Sequence, residues 1–257
     1  MGKGRVEKLD YADRWLRDGL RVVAPPGAMV TLDVDMSNAA AFKQRINETG
    51  TRVTFTHLIV HATARALAEH PELHRLVAGN KRLFPESIVI CLSVAGDGVV
   101  TPVLMIEDAG RKSLAEIASR VREGAEEAKQ QDRKMNELLK RWGWVAPLGI
   151  MRRSLVGFLL ERLWYRRRAS GTFQVSVISS VDSFAPFLFN TAAALGAGRV
   201  RDRAVPVEDR IEIRPVMALT CCIDHKVWNG MDAATFLNSV KNYLETPSER
   251  AARATLN

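Results

Sequence analysis

Five histidines and three cysteines are the residues of this chain best suited to proton transfer, nucleophilic attack or metal binding. Four of the histidines form two pairs at helical spacing, His57 with His61 and His70 with His74, which would set both rings of a pair on one helix face as in zinc sites. HLIVH lacks the glutamate that follows the first histidine in the zinc-protease motif, Pro71 interrupts the second pair, and no cluster of cysteines or carboxylates converges on either. No metal site is expected. Cys91, Cys221 and Cys222 are odd in number and two of them are neighbours, which fits small apolar core residues in a reducing compartment better than a disulfide framework.

The fifth histidine, His225, stands in DHKVWNG, where an apolar strand ends and a helix begins. Such a junction can hold a side chain rigidly while leaving it open to a cleft. A neutral imidazole so held can take up a proton as a general base. HxxxNG alone is a short pattern, so its weight depends on the elements that position it.

Those elements are legible in the hydrophobic periodicity. Val30 to Met36 alternates as a half-buried strand, and Ser37 is expected to cap a helix ending near Glu48. From Phe55 to Leu67 the chain is apolar all round and stops ahead of Pro71, which predicts a buried helix. SIVICLSVAGDGVVTPVLMI reads as two strands joined at Gly96, Asp97 and Gly98. Ser113 with Glu116 three residues later opens an amphipathic surface helix over LAEIASRVREGAEEAKQ. GTFQVSVIS is a strand, AAALGAGRV and EDRIEIRPVMALTCCI supply two or three more with a turn at Glu208 to Arg210, and MDAATFLNSVKNYLETP closes the chain as a helix. Without regular βαβ alternation, the fold class is an α/β two-layer sandwich on a mixed β-sheet. No linker or repeat divides residues 1–257, which are read as a single domain.

The net charge is +8, yet between Lys129 and Arg168 eleven basic residues face three acidic ones, an excess equal to that of the whole chain. The balanced remainder argues against nucleic-acid binding. This basic stretch, at about 131–170, holds three of the five tryptophans. Its apolar runs are broken at Arg152, Arg153, Glu161 and Arg162, short of the roughly 18 residues of a spanning helix. Two uses stay open for it. Its helices can pack over the core, as a lid or an acyl tunnel with arginine heads reaching water, or residues 135–168 can lie on an anionic membrane. The N-terminal stretch is charged throughout and has no apolar run of signal-peptide length, so a cytoplasmic, possible membrane-peripheral location is expected.

VTLDVDMS, FTHLIVHATARALAEHPEL, GDGVVTPVL, GRKSLAEIASRVRE, GTFQVS, DSFAPF and DHKVWNG, in that order, resemble the catalytic domain of the 2-oxo-acid dehydrogenase acyltransferases, the dihydrolipoamide acyltransferase family, across residues 29–128 and 171–247. That family is related to chloramphenicol acetyltransferase. The resemblance implies a chloramphenicol acetyltransferase-like fold and a homotrimer with active sites at subunit interfaces. It implies acyl transfer between coenzyme A and a dihydrolipoamide-like thiol, or a hydroxyl acceptor, without a covalent acyl-serine. His225 would be the base and Ser176, in GTFQVS, the oxyanion donor. Asn229 is the third catalytic candidate, with Asp224 and Gly230 supporting the motif; no coenzyme A-binding residue is assigned.

Two motif positions depart from the family's usual DHRxxDG, Lys226 for Arg and Asn229 for Asp. After Ser176, VISSV is shorter than the family's glycine-containing run, which reshapes one wall of the expected site. Nothing resembles a lipoyl or peripheral-subunit-binding domain, so a lipoyl group would come in trans on a partner. The polar SERAARATLN end suggests a free trimer instead of a cage, and basic residues of the insertion could attract the phosphates of coenzyme A. Other readings are a non-catalytic trimeric scaffold or regulatory paralogue, and a membrane-associated acyltransferase for a lipid-like substrate.

Overall fold

Strand alternation in this chain produces one seven-stranded mixed sheet, seen in a computed structural model that describes residues 10–20, 27–78, 81–96, 101–145, 148–162, 164–165, 171–188 and 191–248. The main path runs β1 (Ala28–Asp35), β9 (Arg210–Ile223), β7 (Ala193–Ala197), β6 (Phe173–Val177), β4 (Ile90–Ser93) and β5 (Val103–Ile106), with β8 (Arg201–Val207) paired to the outer half of β9. β4 with β6 and β6 with β7 are parallel, and the other pairs are antiparallel. A separate two-stranded ribbon joins β2 (Leu76–Ala78) and β3 (Lys81–Leu83).

The strand period of two divides the sheet's side chains between two faces. Val34 of β1, Val175 of β6, Leu195 of β7 and Leu219 of β9 enter one core with α2 (Ser37–Glu48), α3 (Phe55–Glu69), α4 (Leu114–Trp142) and α6 (Gly230–Glu245). The helix layer on that face completes the two-layer sandwich expected from the sequence. The opposite face carries Thr31, Thr220, Gly196 and Ser176 in one register row, with the Thr31 and Thr220 hydroxyls 3.1 Å apart.

Helix α3 is buried along almost its whole length, as its unbroken apolar sequence predicts. The Ser113 and Glu116 capping box forms, with Glu116 N donating to Ser113 Oγ at 3.3 Å and Ser113 N to Glu116 Oε2 at 2.7 Å. Ser37 departs from expectation: it is the first helical residue, and its N–H donates to the Asp35 carboxylate at 2.9 Å. Asp97 and Gly98 of the β4–β5 connection lie outside the described residues, as do Arg166 to Arg168 and the tail beyond Ser248.

The basic segment departs most. Helix α4 continues past Gln130 to Trp142, a 3-10 turn spans Gly143–Val145, and α5 (Gly149–Leu160) folds back against α1 (Tyr11–Leu20). Sequence periodicity had not placed α1. Of the residues of α5 only Arg152 and Leu160 are buried, and its packing partner is α1.

Candidate active site

The segment Asp224 to Gly230 is fixed at both ends by the elements it joins. Asp224 N donates to Ala192 O at 2.9 Å, extending the edge of the sheet one residue beyond β9. The Asp224 carbonyl then accepts from Val227 N at 2.8 Å and Trp228 N at 3.0 Å, closing a tight turn. Its carboxylate accepts from Lys226 N at 3.0 Å, while Lys226 Nζ stands 3.7 Å away. Trp228 is 1% exposed, packs against Phe173 and Phe236, and donates Nε1–H to Leu73 O at 2.8 Å. A buried indole with its polar atom satisfied anchors the turn in the core.

Asn229 caps α6: its side chain accepts from Asp232 N at 2.9 Å, and Asp232 Oδ2 accepts from Asn229 N at 3.0 Å. Asp232 also receives Arg75 Nη2 at 2.8 Å, and the same guanidinium donates to Val227 O from Nε at 2.8 Å and from Nη2 at 2.5 Å. Arg75 thus ties the turn to the helix cap. Gly230 follows as the first helical residue, in open space.

His225 stands exposed on the tip of this turn. Gly27 lies against it, so close that a Cβ built on Gly27 would fall 2.6 Å from the His225 Cβ. Ser176 is half-buried on the face of β6 that points away from the helix layer. Among the described residues, none holds the His225 imidazole or the Ser176 hydroxyl in a hydrogen bond.

Within one chain these two side chains do not meet. Ser176 is level with Gly196 and, across it, with Thr220, whereas β9 continues three residues further to Ile223 before the turn. Two strand spacings and three residue rises separate Ser176 from the strand end by about 14 Å, and His225 lies beyond it.

The loop after Ser176 is pinned. Ile178 N donates to Ala197 O at 3.0 Å and Arg199 N to Val181 O at 2.8 Å, and the Asp182 carboxylate accepts Arg199 Nε at 2.6 Å and also Arg201. Gly198 is pressed so tightly under Asp182 that a side chain there would overlap the Asp182 carbonyl. VISSV is therefore short and held flat against the sheet end.

The remaining histidines have structural partners, and the cysteines are core residues. His57 belongs to the Thr54 capping box, His61 Nε2 accepts from Arg65 Nε at 3.3 Å, His70 Nε2 pairs with Ser239 Oγ at 2.8 Å, and His74 Nε2 with Thr172 Oγ1 at 2.7 Å. Burial pushes His57, His61 and His74 down to about 4. All three cysteines are buried and free, with burial pushing Cys91 up to about 12 and Cys222 up to about 11. Thiols so desolvated are poor nucleophiles.

Sequence reasoning picked out His225, Ser176, Asn229, Asp224 and Gly230 but missed Arg75, Gly27 and Asp232. Asp232 carried a signal, since Asn229 with Asp three positions on has capping-box spacing. Arg75 carried none, reaching its acceptor across 152 residues of chain.

Residues 23–150 and 165–252 match the family described as 2-oxoacid dehydrogenases acyltransferase (catalytic domain). The chain belongs to this family. The match breaks over residues 151–164, most of α5 and the residues after it. A relative from Staphylococcus aureus, the dihydrolipoyllysine-residue succinyltransferase component of a 2-oxoglutarate dehydrogenase complex, is 23% identical over 256 residues, covering 95% of this chain and 53% of its own length. The chain therefore spans about half the length of the curated relatives it matches. The dihydrolipoamide acetyltransferase of Azotobacter vinelandii superposes with a TM-score of 0.72 at 20% identity, over 98% of this chain and 94% of that one. A chloramphenicol acetyltransferase shares the fold more distantly, with a TM-score of 0.50 at 15% identity over 92% and 96% of the two chains.

Proposed function

We propose that this family member transfers an acyl group directly between coenzyme A and a thiol, dihydrolipoamide-like and carried in trans, or a hydroxyl acceptor. The observation that carries this reading is His225, exposed on a turn whose flanks are locked by Arg75, Trp228 and the Asn229 cap. An imidazole so mounted is accessible yet oriented, as a general base must be. Its Nε2 or Nδ1 takes the acceptor's S–H proton as sulfur attacks the thioester carbonyl carbon. The carbonyl oxygen becomes an oxyanion, which the Ser176 hydroxyl meets with a hydrogen bond. Collapse of the tetrahedral adduct breaks the carbon–sulfur bond to coenzyme A, and the imidazolium returns its proton to the departing thiolate.

The separation of His225 from Ser176 within one chain supports a site assembled from two subunits, hence a homotrimer with one site per interface. The β8–β9 hairpin projects beyond β1 and carries Ile211 and Ile213, 76% and 69% exposed, which suits a subunit contact. The Azotobacter enzyme has a serine, a histidine and, four positions after it, an asparagine with roles in its catalytic mechanism, the spacing of His225 and Asn229. In this reading Asn229 acts by holding the turn through its cap.

The test is to incubate the protein with a panel of acyl-CoA species, with and without dihydrolipoamide, while following free thiol release. Turnover is expected only with an acceptor. His225→Ala should lose about a hundredfold or more in rate with its fold intact. A folded trimer that turns over no acyl-CoA, or a His225→Ala variant as fast as its parent, would overturn the reading in favour of a scaffold.

A further inference from the structure

Helix α5 buries a charge while exposing much of its apolar surface. Its most deeply buried residue is Arg152, 2% exposed, whose Nε donates to Oδ2 of the fully buried Asp18 on α1 at 2.7 Å. Ile150 and Phe158 meanwhile stand 64% and 56% exposed, with Leu155 close behind. A helix surrounded by water turns its apolar stripe inward, and burying an ion pair costs desolvation. α5 spends part of its packing face on a charged pair, keeps Leu160 as its one buried apolar residue, and sends Ile150, Met151, Leu155 and Phe158 outward. The segments joined to it do the same, with Trp142, Trp144 and Trp164 each more than half exposed.

Charge selects what covers this surface. Arg141 lies 5.6 Å from the Trp142 ring centroid and Arg162 lies 4.4 Å from that of Phe158, so basic heads border the exposed rings. The surrounding segment holds eleven basic and three acidic residues, and a second copy of the chain meeting it face to face would bring the same positive excess against it. An anionic bilayer answers both properties: headgroups attract the arginines, and the headgroup–acyl boundary takes up tryptophan, phenylalanine and isoleucine side chains. No helix among the described residues is long and apolar enough to cross a membrane, so contact would be in the plane of the surface.

We propose that α5 and its flanking tryptophans dock the protein on an anionic lipid surface. This goes beyond the acyl-transfer reading and uses none of its residues. Full-length protein is to be sedimented with vesicles of phosphatidylglycerol and phosphatidylcholine in equal parts, and with phosphatidylcholine alone. Binding is expected to the anionic vesicles and to weaken as salt is raised. The variant Trp142→Ser/Phe158→Ser/Trp164→Ser removes exposed side chains and leaves no cavity; it should partition roughly tenfold less or weaker still, with an unchanged circular dichroism spectrum. Arg141→Glu/Arg162→Glu should lose preference for the anionic vesicles. Failure of the parent to sediment with them, or variants that sediment equally well, would overturn the proposal. So would a parent that ignores vesicles while the triple serine variant changes oligomeric state by light scattering, which would assign the face to a subunit contact. Thiol release is measured without lipid, so the two readings fail separately.

Discussion

Gly27 is in contact with His225 at a place where only hydrogen fits: its own N–H donates to Ile223 O at 2.8 Å, and an added Cβ would stand 2.6 Å from the His225 Cβ and 3.3 Å from its Cδ2. The backbone bond prevents Gly27 from moving away, and rotating the imidazole leaves its Cβ in place, so the turn that carries His225 must shift instead. Gly27→Ala is expected to lower kcat about tenfold or more while moving KM little, because positioning and not substrate contact is disturbed. Equal kcat in the variant would show that the ring tolerates displacement.

Arg75 performs the complementary task from below the turn. Its guanidinium joins Val227 O to the Asp232 carboxylate, and both partners are mostly shielded from water. Arg75→Met leaves Asp232 without its cation and the Val227 carbonyl without a donor, which should cost about 1.5–3 kcal/mol of stability. Urea denaturation would read that loss directly. A drop in kcat should accompany it, and Arg75→Lys should restore part of the stability but less of the rate, since a single ammonium cannot span both acceptors as a fork does.

The motif turn was legible in the sequence because each of its constraints is local. An apolar strand enters, Asn229 and Asp232 sit at capping distance, and a periodic helix leaves. What holds the turn from outside was not legible, since Arg75 and Gly27 reach it through tertiary contacts that leave no periodic trace. The packing of the basic segment was not legible for a different reason. Periodicity assumes that apolar residues face the protein, and in α5 one of the two buried positions belongs to Arg152, whose partner Asp18 lies on a helix not expected at all. The row from Thr31 to Ser176, on the sheet face away from the helix layer, depends on strand order, which alternation within single strands does not encode.

Three buried histidines should weaken the fold as the pH falls. His57, His61 and His74 are held neutral down to about pH 4 by burial, with the Arg122 and Arg65 cations adding to the effect at His57 and His61 respectively. In the unfolded chain each would protonate near pH 6.5, so between about 6.5 and 4 the unfolded state binds more protons than the folded one. Stability should therefore fall as pH drops through that window, by about 1.4 kcal/mol per pH unit for each histidine, and level off below it as the folded state protonates too. Urea denaturation across this range measures the slope. His61→Gln should flatten it by one proton's worth, and an unchanged slope would mean that this ring is already charged in the folded protein.

If the His225 and Ser176 of one site come from different subunits, two inactive variants should repair each other. His225→Ala spoils every site through its histidine, and Ser176→Ala slows every site through its hydroxyl, so neither homotrimer should approach the parent rate. In a mixed trimer, an interface at which the Ser176→Ala chain supplies the histidine and the His225→Ala chain supplies the serine has both groups intact. Random assembly from equal amounts makes about a quarter of all interfaces of this kind, and thiol release should recover to about that fraction of the parent rate. Separately folded variants mixed without exchange should show no recovery, which separates true reassembly from residual activity. The roughly 14 Å between Ser176 and the end of β9 in one chain is what makes repair the expected outcome. A site formed within a single chain would leave the mixture as slow as its components.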